Sequence, residues 1–574
     1  MKMSIRQVLA VIVVAVSLAS GQAFSVEETK GESGFRKIAY YNGAEHVPGE
    51  ILVKLNSNGL KTFGITSLSK TLSSFGMEAF HPVLNTIPLF VVRLRAAEQL
   101  REILQKLNSD PNVAYAEPNY LYRTSTAGIR RLSNDPHFHK FWGLHNTGQK
   151  IGNQVGIPGS DIDAVRAWDL TTGDSSVVVA VIDTGVDYLH EDLAANLWVN
   201  RAEIPDNNID DDGNGFVDDI RGWNFYGKNN NPMDDNEHGT HVAGTIGAVG
   251  DNGKGVVGIN WNVSIMPLKA FDREGYGTTE DAIAAIDYAV KMGAQVLNNS
   301  WGGDGYSHAM AEVITVAEQK GVIFVAAAGN EEADNDRKPN YPSNYPHSNV
   351  VAVAAGDNRD QLADFSNWGI EQVDILAPGV GIYSTFPENS YGYLDGTSMA
   401  TPHVVGAIAL LWGYDPNLTM QEVIERILKG SDEVPTVRRR IKSGGRLNIY
   451  NALMGIEGAR SPEVNPQTWA LFGYAISSPH QYDNNQELTW TIHHPGAQFI
   501  AVHFSKLSTE ENYDKVRITN EEGLVYDLLH GEQDNRWSAA VSGETLVVHF
   551  RSDNSVTGYG FDIDQYAVFP AREE

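Results

Sequence analysis

A serine within a run of small residues is the first group in this chain that could act as a nucleophile. Ser398 lies in the stretch 396–403, and the apolar run 404–412 follows it, so the pattern predicts a buried helix that begins near the serine. Pro402 falls in the first turn of that helix or just past it, where a missing N–H costs least. The positive end of the helix dipole would lie beneath an accessible hydroxyl. On local sequence alone an N-cap serine is the better interpretation, because serine is a preferred helix cap.

Two other stretches could supply the acid and the base that a serine nucleophile needs. The run 177–182 is apolar and rich in β-branched residues, which predicts a buried parallel strand that ends at Asp183. His238 opens a second helix of small residues. Aspartate, histidine and serine in that chain order form one of the arrangements that a catalytic triad can take, in which histidine removes the serine proton and aspartate orients the histidine. Asp187 and His241 are rivals within the same two stretches.

Together the three stretches resemble the signature blocks of the subtilisin-like serine proteases, and the resemblance extends over residues 134–455. It implies a secreted endopeptidase that hydrolyses peptide bonds through an acyl-enzyme, with Asp183, His238 and Ser398 as the triad. The rival aspartate and histidine would then pack and not react. An esterase is excluded, since it would carry G-x-S-x-G and the order Ser, Asp, His. A non-catalytic surface or binding protein that keeps the fold is the competing interpretation, but all the polar residues of the family's site are present.

The resemblance also implies the groups that bind the substrate. Asn330 follows a buried strand and matches the family's oxyanion asparagine, with the Ser398 backbone N–H as the second donor. Ser300, Trp301 and Gly302 match the segment that pairs with the substrate backbone as an added strand. By itself, Asn330 would be interpreted as a turn residue after glycine, and Trp301 as a core residue.

The elements that must position these residues alternate between strand and helix. A helix at 278–291 begins with a capping box of Thr278 and Asp281. We predict an α/β fold with a mostly parallel sheet and its site at the carboxyl ends of the strands. The family resemblance implies three layers and a catalytic domain at 134–456. Further strands are predicted at 295–297, 322–327, 350–354 and 373–376.

The N-terminus has the pattern of a secretory signal peptide at residues 1–23. Lys2 and Arg6 precede an apolar run of 12 residues, 8–19, and small residues follow. The alternative is a membrane anchor, but the run is shorter than the roughly 20 residues that a spanning helix needs. No later stretch is long and apolar enough to span a bilayer. Residues 24–45 are polar and glycine-rich and are predicted to be a loose leader.

A small α+β domain is predicted at 46–123, with a linker at 124–133. It resembles the inhibitory prodomain of the same family, which implies a self-inhibited precursor; an unrelated accessory domain is the alternative. The linker contains Arg130 and Arg131, which makes it an exposed site for cleavage. The strands are predicted at 50–55, 90–94 and 113–120, and the helix at 96–107.

After a second linker at 457–468, the sequence changes to alternating strands such as 488–492 and 499–504. These predict an antiparallel β-sandwich at 469–570. The segments 513–516 and 552–561 resemble the CUB domain, although this chain lacks the disulfides common in that family.

The acidic loop at 206–219, between Asp183 and His238, predicts a structural calcium site. It matches the first half of the calcium-loop pattern D-x-[DN]-x-[DN]-G, but Arg221 replaces the glutamate at position twelve. So many carboxylates would repel one another without a cation; a solvated acidic loop is the alternative. A weaker site is predicted in the last domain from Glu510 or Glu511 with Asp514 and Asp553. The predicted ligands of the main site are Asp210, Asp212, Asn214, the Phe216 backbone oxygen, Asp218 and Asp219.

Charge and cysteine content restrict the partners. The net charge of −29 argues against nucleic acid and against an anionic membrane surface. With no cysteine, the chain has neither disulfides nor a catalytic thiol, so bound metal is the expected means of stabilising an exported protein. We expect a monomer whose partners are protein or peptide substrates and its own prodomain.

Overall fold

A computed structural model describes residues 39–41, 44–56, 77–82, 89–94, 100–120, 132–458, 460–511 and 513–570. The predicted signal peptide, and most of the predicted leader and first linker, lie outside these residues. The chain forms two compact units, Met1–Gly128 and Ile129–Glu574. Within the described residues, none of the helices has the length and apolar character needed to cross a membrane.

The first unit is a five-stranded antiparallel sheet with one helix. The strands follow the order β1-β2-β4-β3, and β5 pairs with β2. The helix α1 packs against β5 and contributes Ile103 and Leu107 to the core. Strand β1 and the start of β2 fall within the residues predicted to be a leader, where they pair as a hairpin. The elements are β1 Ala39–Tyr41, β2 Ala44–Leu55, β3 Met77–Pro82, β4 Leu89–Leu94, α1 Leu100–Asn108 and β5 Val113–Tyr120.

A nine-stranded sheet organises the first part of the second unit. Its order is β17-β18-β14-β13-β12-β11-β8-β10-β9, and every neighbouring pair is parallel except β17 and β18. The mostly parallel sheet is therefore confirmed. The strands of this part, including two short hairpins, are β6 Lys150–Ile151, β7 Gln154–Val155, β8 Gly173–Asp183, β9 Trp223–Asn224, β10 Asn262–Lys269, β11 Val296–Asn299, β12 Ile323–Ala327, β13 Val350–Gly356, β14 Ile375–Pro378, β15 Ile382–Phe386, β16 Ser390–Leu394, β17 Asp432–Glu433 and β18 Gly445–Arg446.

Helices cover both faces of this sheet and make three layers. Side chains of β8 alternate between two cores: Val179 and Val181 face α6, whereas Ala180 and Ile182 belong to the core on the side of α4. The predicted cap of α4 is present, since the Thr278 hydroxyl accepts the Asp281 N–H. The helices are α2 Ala164–Trp168, α3 His238–Gly247, α4 Thr279–Lys291, α5 His308–Gln319, α6 Thr397–Tyr414, α7 Met420–Lys429 and α8 Ile449–Met454, with short 3₁₀ turns at Phe138–Lys140 and Ala194–Asn196.

The helix α6 is buried on nearly every side. Between Thr397 and Trp412, Ser398 is the residue that stays partly exposed, and every other side chain is buried. Pro402 lies inside the helix and has no N–H to donate to the Ser398 carbonyl four residues earlier. The Ser300 hydroxyl donates to that carbonyl instead, at 2.8 Å. A residue outside the helix thus satisfies the carbonyl that the proline leaves free.

The last part of the second unit is a β-sandwich, as predicted. One sheet has the order β19-β27-β21-β24 with β25 beside β21, and the other has the order β20-β26-β22-β23. All pairs are antiparallel, and a core that includes Val502, Phe504 and Phe550 fills the space between the sheets. The strands are β19 Ala470–Ser477, β20 Glu487–His493, β21 Ala497–Ser508, β22 Lys515–Thr519, β23 Val525–Leu529, β24 Arg536–Trp537, β25 Val541–Ser542, β26 Thr545–Arg551 and β27 Gly560–Pro570.

Candidate active site

An acid and a base meet where β8 ends and α3 begins. Asp183 is the last residue of β8 and His238 the first residue of α3. The Nδ1 of His238 lies 2.8 Å from Oδ1 of Asp183, which also accepts the N–H of Thr184 at 2.7 Å. Asp183 is only 2% exposed, whereas the imidazole is 27% exposed. The pair therefore joins a buried carboxylate to a histidine that solvent can reach.

Opposing effects set the pKa of His238. Burial of the imidazole lowers it, because a buried cation loses its hydration. The charge of Asp183, its hydrogen bond, and the charges of Asp234 and Glu237 all favour the protonated ring. The carboxylates prevail, and the pKa of His238 is raised above its usual value. A base of this kind is neutral, and able to accept a proton, only above its raised pKa.

Close packing between α3 and the turn after β8 makes this contact possible. A Cβ at Gly239 would lie 2.0 Å from the Gly185 carbonyl oxygen, so a larger residue after His238 would push the helix away. The Gly239 N–H donates to the Thr184 hydroxyl at 3.0 Å, and that hydroxyl donates to Asp234 at 2.9 Å. The glycine of the histidine stretch thus fixes how near the base comes to the acid.

Ser398 lies in the first turn of α6, and α6 packs against α3. Its hydroxyl donates to the Ser300 carbonyl at 3.0 Å, and among the hydrogen bonds of the described residues none joins it to His238. The hydroxyl proton must therefore leave the Ser300 carbonyl before the base can take it. Catalytic hydrogen bonds are often incomplete until substrate is bound, so this conformation is compatible with a triad.

Asn330 is held so that its amide N–H groups remain free. Its Oδ1 accepts the N–H of Thr397 at 2.9 Å and the Thr397 hydroxyl at 3.0 Å. Because Oδ1 accepts a backbone N–H, the orientation of the amide is assigned by its hydrogen bonds. Nδ2 donates to no described residue. Asn330 is exposed, and its hydrogen bond with Thr397 brings it close to Ser398, the next residue of the chain. This arrangement provides an N–H donor next to the serine.

The segment after β11 has the properties of a strand edge. The backbone groups of Trp301 and Gly302 form no hydrogen bond within the described residues, whereas Gly303 pairs with Tyr341 in both directions at 2.8 Å. Trp301 is partly buried and its ring packs 5.5 Å from that of Phe271. An extended peptide could therefore add to this edge through main-chain hydrogen bonds.

The two rival residues have structural contacts. His241 is fully buried, and its Nε2 lies 2.9 Å from the Ile382 carbonyl. Burial lowers the pKa of His241 to about 3, so the ring is neutral and enclosed. Asp187 accepts the N–H groups of Leu189 at 3.0 Å and Glu388 at 2.9 Å. Among the hydrogen bonds of the described residues, none joins either of them to Ser398.

The acidic loop forms a cluster that could hold a metal ion. Carboxylate oxygens of Glu203, Asp212 and Asp219 lie within 4.8 Å of one another. Within the part of the chain that the structure describes, no lysine, arginine or histidine forms an ion pair with these three residues. Amide Nδ2 atoms of Asn200 and Asn214 bridge Asp212 and Asp219 at 2.7–3.2 Å. Carboxylate oxygens are the ligands that a hard cation prefers, so the three acids fit a hard, oxygen-binding ion.

The other residues of the predicted metal site have different contacts. Asp210 accepts the N–H groups of Asn214 and Gly215. Asp218 accepts the N–H groups of Asn207 and Asn208. Phe216 anchors the loop with its ring, 5.0 Å from that of Tyr288. Glu203 was not predicted as a ligand, because it precedes the acidic pattern and belongs to no motif. Glu203 is only 5% exposed, and this burial, which marks it as part of the site, is known only from the fold.

A second cluster lies in the sandwich. Oxygens of Glu510, Asp514 and Asp553 lie within 4.8 Å of one another, while Glu511 instead pairs with Arg337 at 3.6 Å. One Glu510 oxygen is buried without a hydrogen-bond partner. Burial and the two neighbouring carboxylates raise the pKa of Glu510. Tyr482 donates to Asp514 at 2.5 Å, and the cluster has the same oxygen-only character as the first.

Comparison with known proteins agrees with this fold. The model of the subtilase family matches residues 174–446, that of the fervidolysin N-terminal prodomain residues 37–119, and that of the CUB domain residues 473–565. A thermophilic serine proteinase of Bacillus sp. (strain AK1) is 37% identical over 61% of this chain and 75% of its own length.

Two further relatives carry similar names. Thermitase of Thermoactinomyces vulgaris is 38% identical over 44% of this chain and 79% of its own length. Subtilisin-like protease 1 of Plasmodium vivax is 35% identical over 51% of this chain and 49% of its own length. The predicted family and fold are thus confirmed: the chain belongs to the subtilase family and is a subtilisin-like serine endopeptidase with an N-terminal prodomain and a CUB domain.

Proposed function

We propose that this chain is a secreted endopeptidase whose triad is Asp183, His238 and Ser398, made as a self-inhibited precursor. The observation that carries the proposal is the 2.8 Å contact between His238 and Asp183, next to a buried helix whose first turn leaves Ser398 partly exposed. Such an acid–base pair next to a serine is the arrangement that activates a hydroxyl for acyl transfer.

Each residue has one task in the reaction. His238 accepts the Ser398 proton as the hydroxyl attacks the peptide carbonyl, and Asp183 holds the imidazole by Nδ1 and stabilises the cation. The tetrahedral oxyanion receives hydrogen bonds from Asn330 Nδ2 and from the Ser398 N–H, which lies in the first helical turn and has no carbonyl partner within the helix. His238 then protonates the leaving amine. A water molecule, activated by the same base, releases the acyl group.

Peptide and protein substrates would bind in an extended conformation. The free backbone groups of Trp301 and Gly302 support strand addition to this edge. Main-chain pairing fixes the position of the scissile bond and is tolerant of sequence, which suits an endopeptidase. The enzyme acts as a monomer in this proposal.

The precursor and its export rest on other observations. The N-terminal unit belongs to a prodomain family, and this supports an intramolecular inhibitor that is cut off in the linker 124–133. The pattern of a signal peptide at 1–23 and the CUB domain support secretion into the extracellular space. A relative in Bacillus subtilis (strain 168) is named a cell wall-associated protease.

Calcium is the proposed ligand of both acidic clusters. Glu203, Asp212 and Asp219 would hold it in the catalytic domain, and Glu510, Asp514 and Asp553 in the sandwich. A hard divalent cation prefers carboxylate and amide oxygens, and it would neutralise carboxylates that have no basic partner. Its role here is structural, and no step of the reaction passes through it.

Replacement of the nucleophile tests the proposal. Ser398→Ala should produce a folded chain that keeps its prodomain covalently attached and cleaves no peptide. Ser307→Ala is the matched control, because Ser307 is also a serine at a helix start, where it caps α5. Intact-mass spectrometry of both variants from a protease-free host would show the difference. Normal maturation of the Ser398→Ala chain would overturn the self-processing triad.

A further inference from the structure

Lys269 is a buried cation next to the acid–base pair that the reaction above does not use. It is the last residue of β10 and lies opposite Asp183 in the parallel register. Only 3% of its side chain is exposed. Its ammonium donates to the Thr184 carbonyl at 2.5 Å, to Asp235 at 2.6 Å and to the Phe271 carbonyl at 2.9 Å. All three donors of the ammonium are therefore engaged.

The three acceptors belong to three different segments of the site. Thr184 directly follows the acid, and Asp235 lies in the loop that leads into His238. Phe271 packs on Trp301, which belongs to the proposed substrate-binding edge. Burial of an ammonium is costly unless every donor is paired, and removal of one partner of such a group is more disruptive than loss of a surface ion pair. A single side chain thus ties the acid, the base and the substrate edge together.

The loop before the base needs such a restraint. Glu237, directly before His238, has φ of 148°, a conformation that residues with a Cβ rarely adopt. Asp234 holds the loop by accepting the Thr240 N–H at 2.9 Å, and Asn236 accepts the His238 N–H at 3.1 Å. Asp235 is 57% exposed, and the hydrogen bond that the described residues offer its carboxylate is the one from Lys269.

We propose that Lys269 is a positioning residue that sets the contact between Asp183 and His238. This inference rests on the proposed triad. Loss of the ammonium would leave the carbonyls of Thr184 and Phe271 without their donor and would release Asp235. The loop before the base would relax away from its strained conformation, and the imidazole would lose its alignment with Asp183. The ground-state affinity for substrate would change little, because the substrate edge keeps its own backbone.

The test compares Lys269→Met with Asp235→Asn and with a control, Lys254→Met. Lys254 forms a similar ion pair with Glu191, but both side chains are exposed. In the mature enzymes we expect Lys269→Met to lower kcat at least tenfold with KM changed less than twofold, Asp235→Asn to lower kcat by a smaller factor, and Lys254→Met to change neither. Active-site titration with a fluorophosphonate corrects each kcat for the fraction of folded enzyme.

A spectroscopic measurement separates alignment from general stability. In a Ser398→Ala background, the downfield proton resonance of the His238 Nδ1–H reports its hydrogen bond to Asp183. We expect Lys269→Met and Asp235→Asn to shift or broaden this resonance and Lys254→Met to leave it in place. The inference would be overturned if Lys269→Met had the same kcat per titrated site and the same Nδ1–H resonance as the parent enzyme. If Lys269→Met does not fold, the same two measurements on Asp235→Asn, kcat per titrated site and the Nδ1–H resonance, decide whether the inference holds.

Failure of the triad is distinguishable from failure of this inference. A His238→Ala enzyme with parental activity would overturn the triad itself. An inactive His238→Ala enzyme beside an unaffected Lys269→Met enzyme would overturn only the positioning role.

Discussion

A single residue pair, Asp183 and His238, shows how burial and charge compete within the site. Desolvation alone would make the buried imidazole a weak base that stays neutral at low pH. The adjacent carboxylate reverses this effect, and Glu237 and Asp234 add to it from the loop before the histidine. Among the described residues, no carboxylate forms a hydrogen bond with His241, one helical turn later, and burial lowers the pKa of His241 to about 3. The same residue type thus has opposite roles because of what surrounds it.

The raised pKa of His238 predicts the pH dependence of the reaction. Because the base must be neutral, kcat/KM should rise with pH through an apparent pKa above the usual value of about 6.5 and stay high into mild alkali. Glu237→Gln removes one charge that favours the cation, so the rise should move to lower pH. Glu425→Gln on α7 is the control and should leave the profile unchanged. A pH optimum below about 5, or a shift to higher pH in Glu237→Gln, would contradict this account.

A site residue could be predicted from the sequence only where it belongs to a recognisable motif. Asp183 ends an apolar run, and His238 and Ser398 begin runs of small residues, so one strand end and two helix starts could be predicted, and the family resemblance implied their roles. Glu203 and Lys269 stand alone in ordinary segments. Their importance comes from burial beside groups distant in sequence, which no local pattern encodes.

At the scale of the element, α6 combines two conflicting requirements. It must bury nearly all its surface to pack against β8 and α3, yet it must expose Ser398. The interior Pro402 removes the intrahelical donor to the Ser398 carbonyl, and the Ser300 hydroxyl replaces it. The start of the helix is thereby bonded to the substrate-binding segment, and the nucleophile and the strand edge keep a fixed relation.

This exchange of donors predicts a rescue by a second mutation. Ser300→Ala should destabilise the protein by roughly 1–3 kcal/mol, since it leaves a buried carbonyl unpaired. Pro402→Ala restores an N–H in the helix, so the double variant should recover much of that loss. Both are measured by urea unfolding in a Ser398→Ala background, which prevents self-digestion. An additive double variant would show that Ser300 stabilises the site in another way.

Sequence predicted long elements better than short ones. The strands β8, β12 and β13 are continuous apolar runs, and their existence was predicted because such runs must be buried. The two-residue strands β9, β17 and β18 complete the edges of the sheet, but they have no pattern of their own. Their pairing arises from neighbours brought near by the fold, and so it is visible only in the structure.

At the scale of the whole molecule, an acidic chain must be stable without disulfides. The second unit has one acidic cluster in its α/β part and another in its sandwich, each with three carboxylates close together. Ion pairs also join the two parts: Arg439 reaches the buried Asp527 at 3.4 Å, and Arg337 reaches Glu511. Bound cations at the two clusters would convert local repulsion into restraint, which is the role that disulfides have in many exported proteins.

Removal of calcium should therefore weaken the protein. In a Ser398→Ala background we expect chelation to lower the melting temperature, because calcium at a hundredfold excess over Kd adds about 2.7 kcal/mol to the free energy of unfolding. Asp212→Ala and Glu203→Gln should each remove most of the response at the first cluster. Asp287→Asn, an exposed aspartate of α4, is the control. In active enzyme, chelation should speed self-digestion.

The same titration separates two candidate ligand sets. If the cluster found in the structure binds the ion, Glu203→Gln should have a larger effect than Asp210→Asn, because Glu203 belongs to that cluster and Asp210 does not. The reverse order would favour the ligand set predicted from the loop pattern. A melting temperature indifferent to calcium in all variants would show that the acidic loop is only solvated.

Covalent labelling tests the central claim most directly. A fluorophosphonate reacts with a serine hydroxyl only when a neighbouring base activates it. Tandem mass spectrometry of the labelled mature enzyme should locate a single adduct on Ser398, and labelling should disappear in His238→Ala while the fold persists. An enzyme that cleaves peptides while Ser398 remains unlabelled, or an adduct that persists in His238→Ala, would contradict the Asp183–His238–Ser398 mechanism.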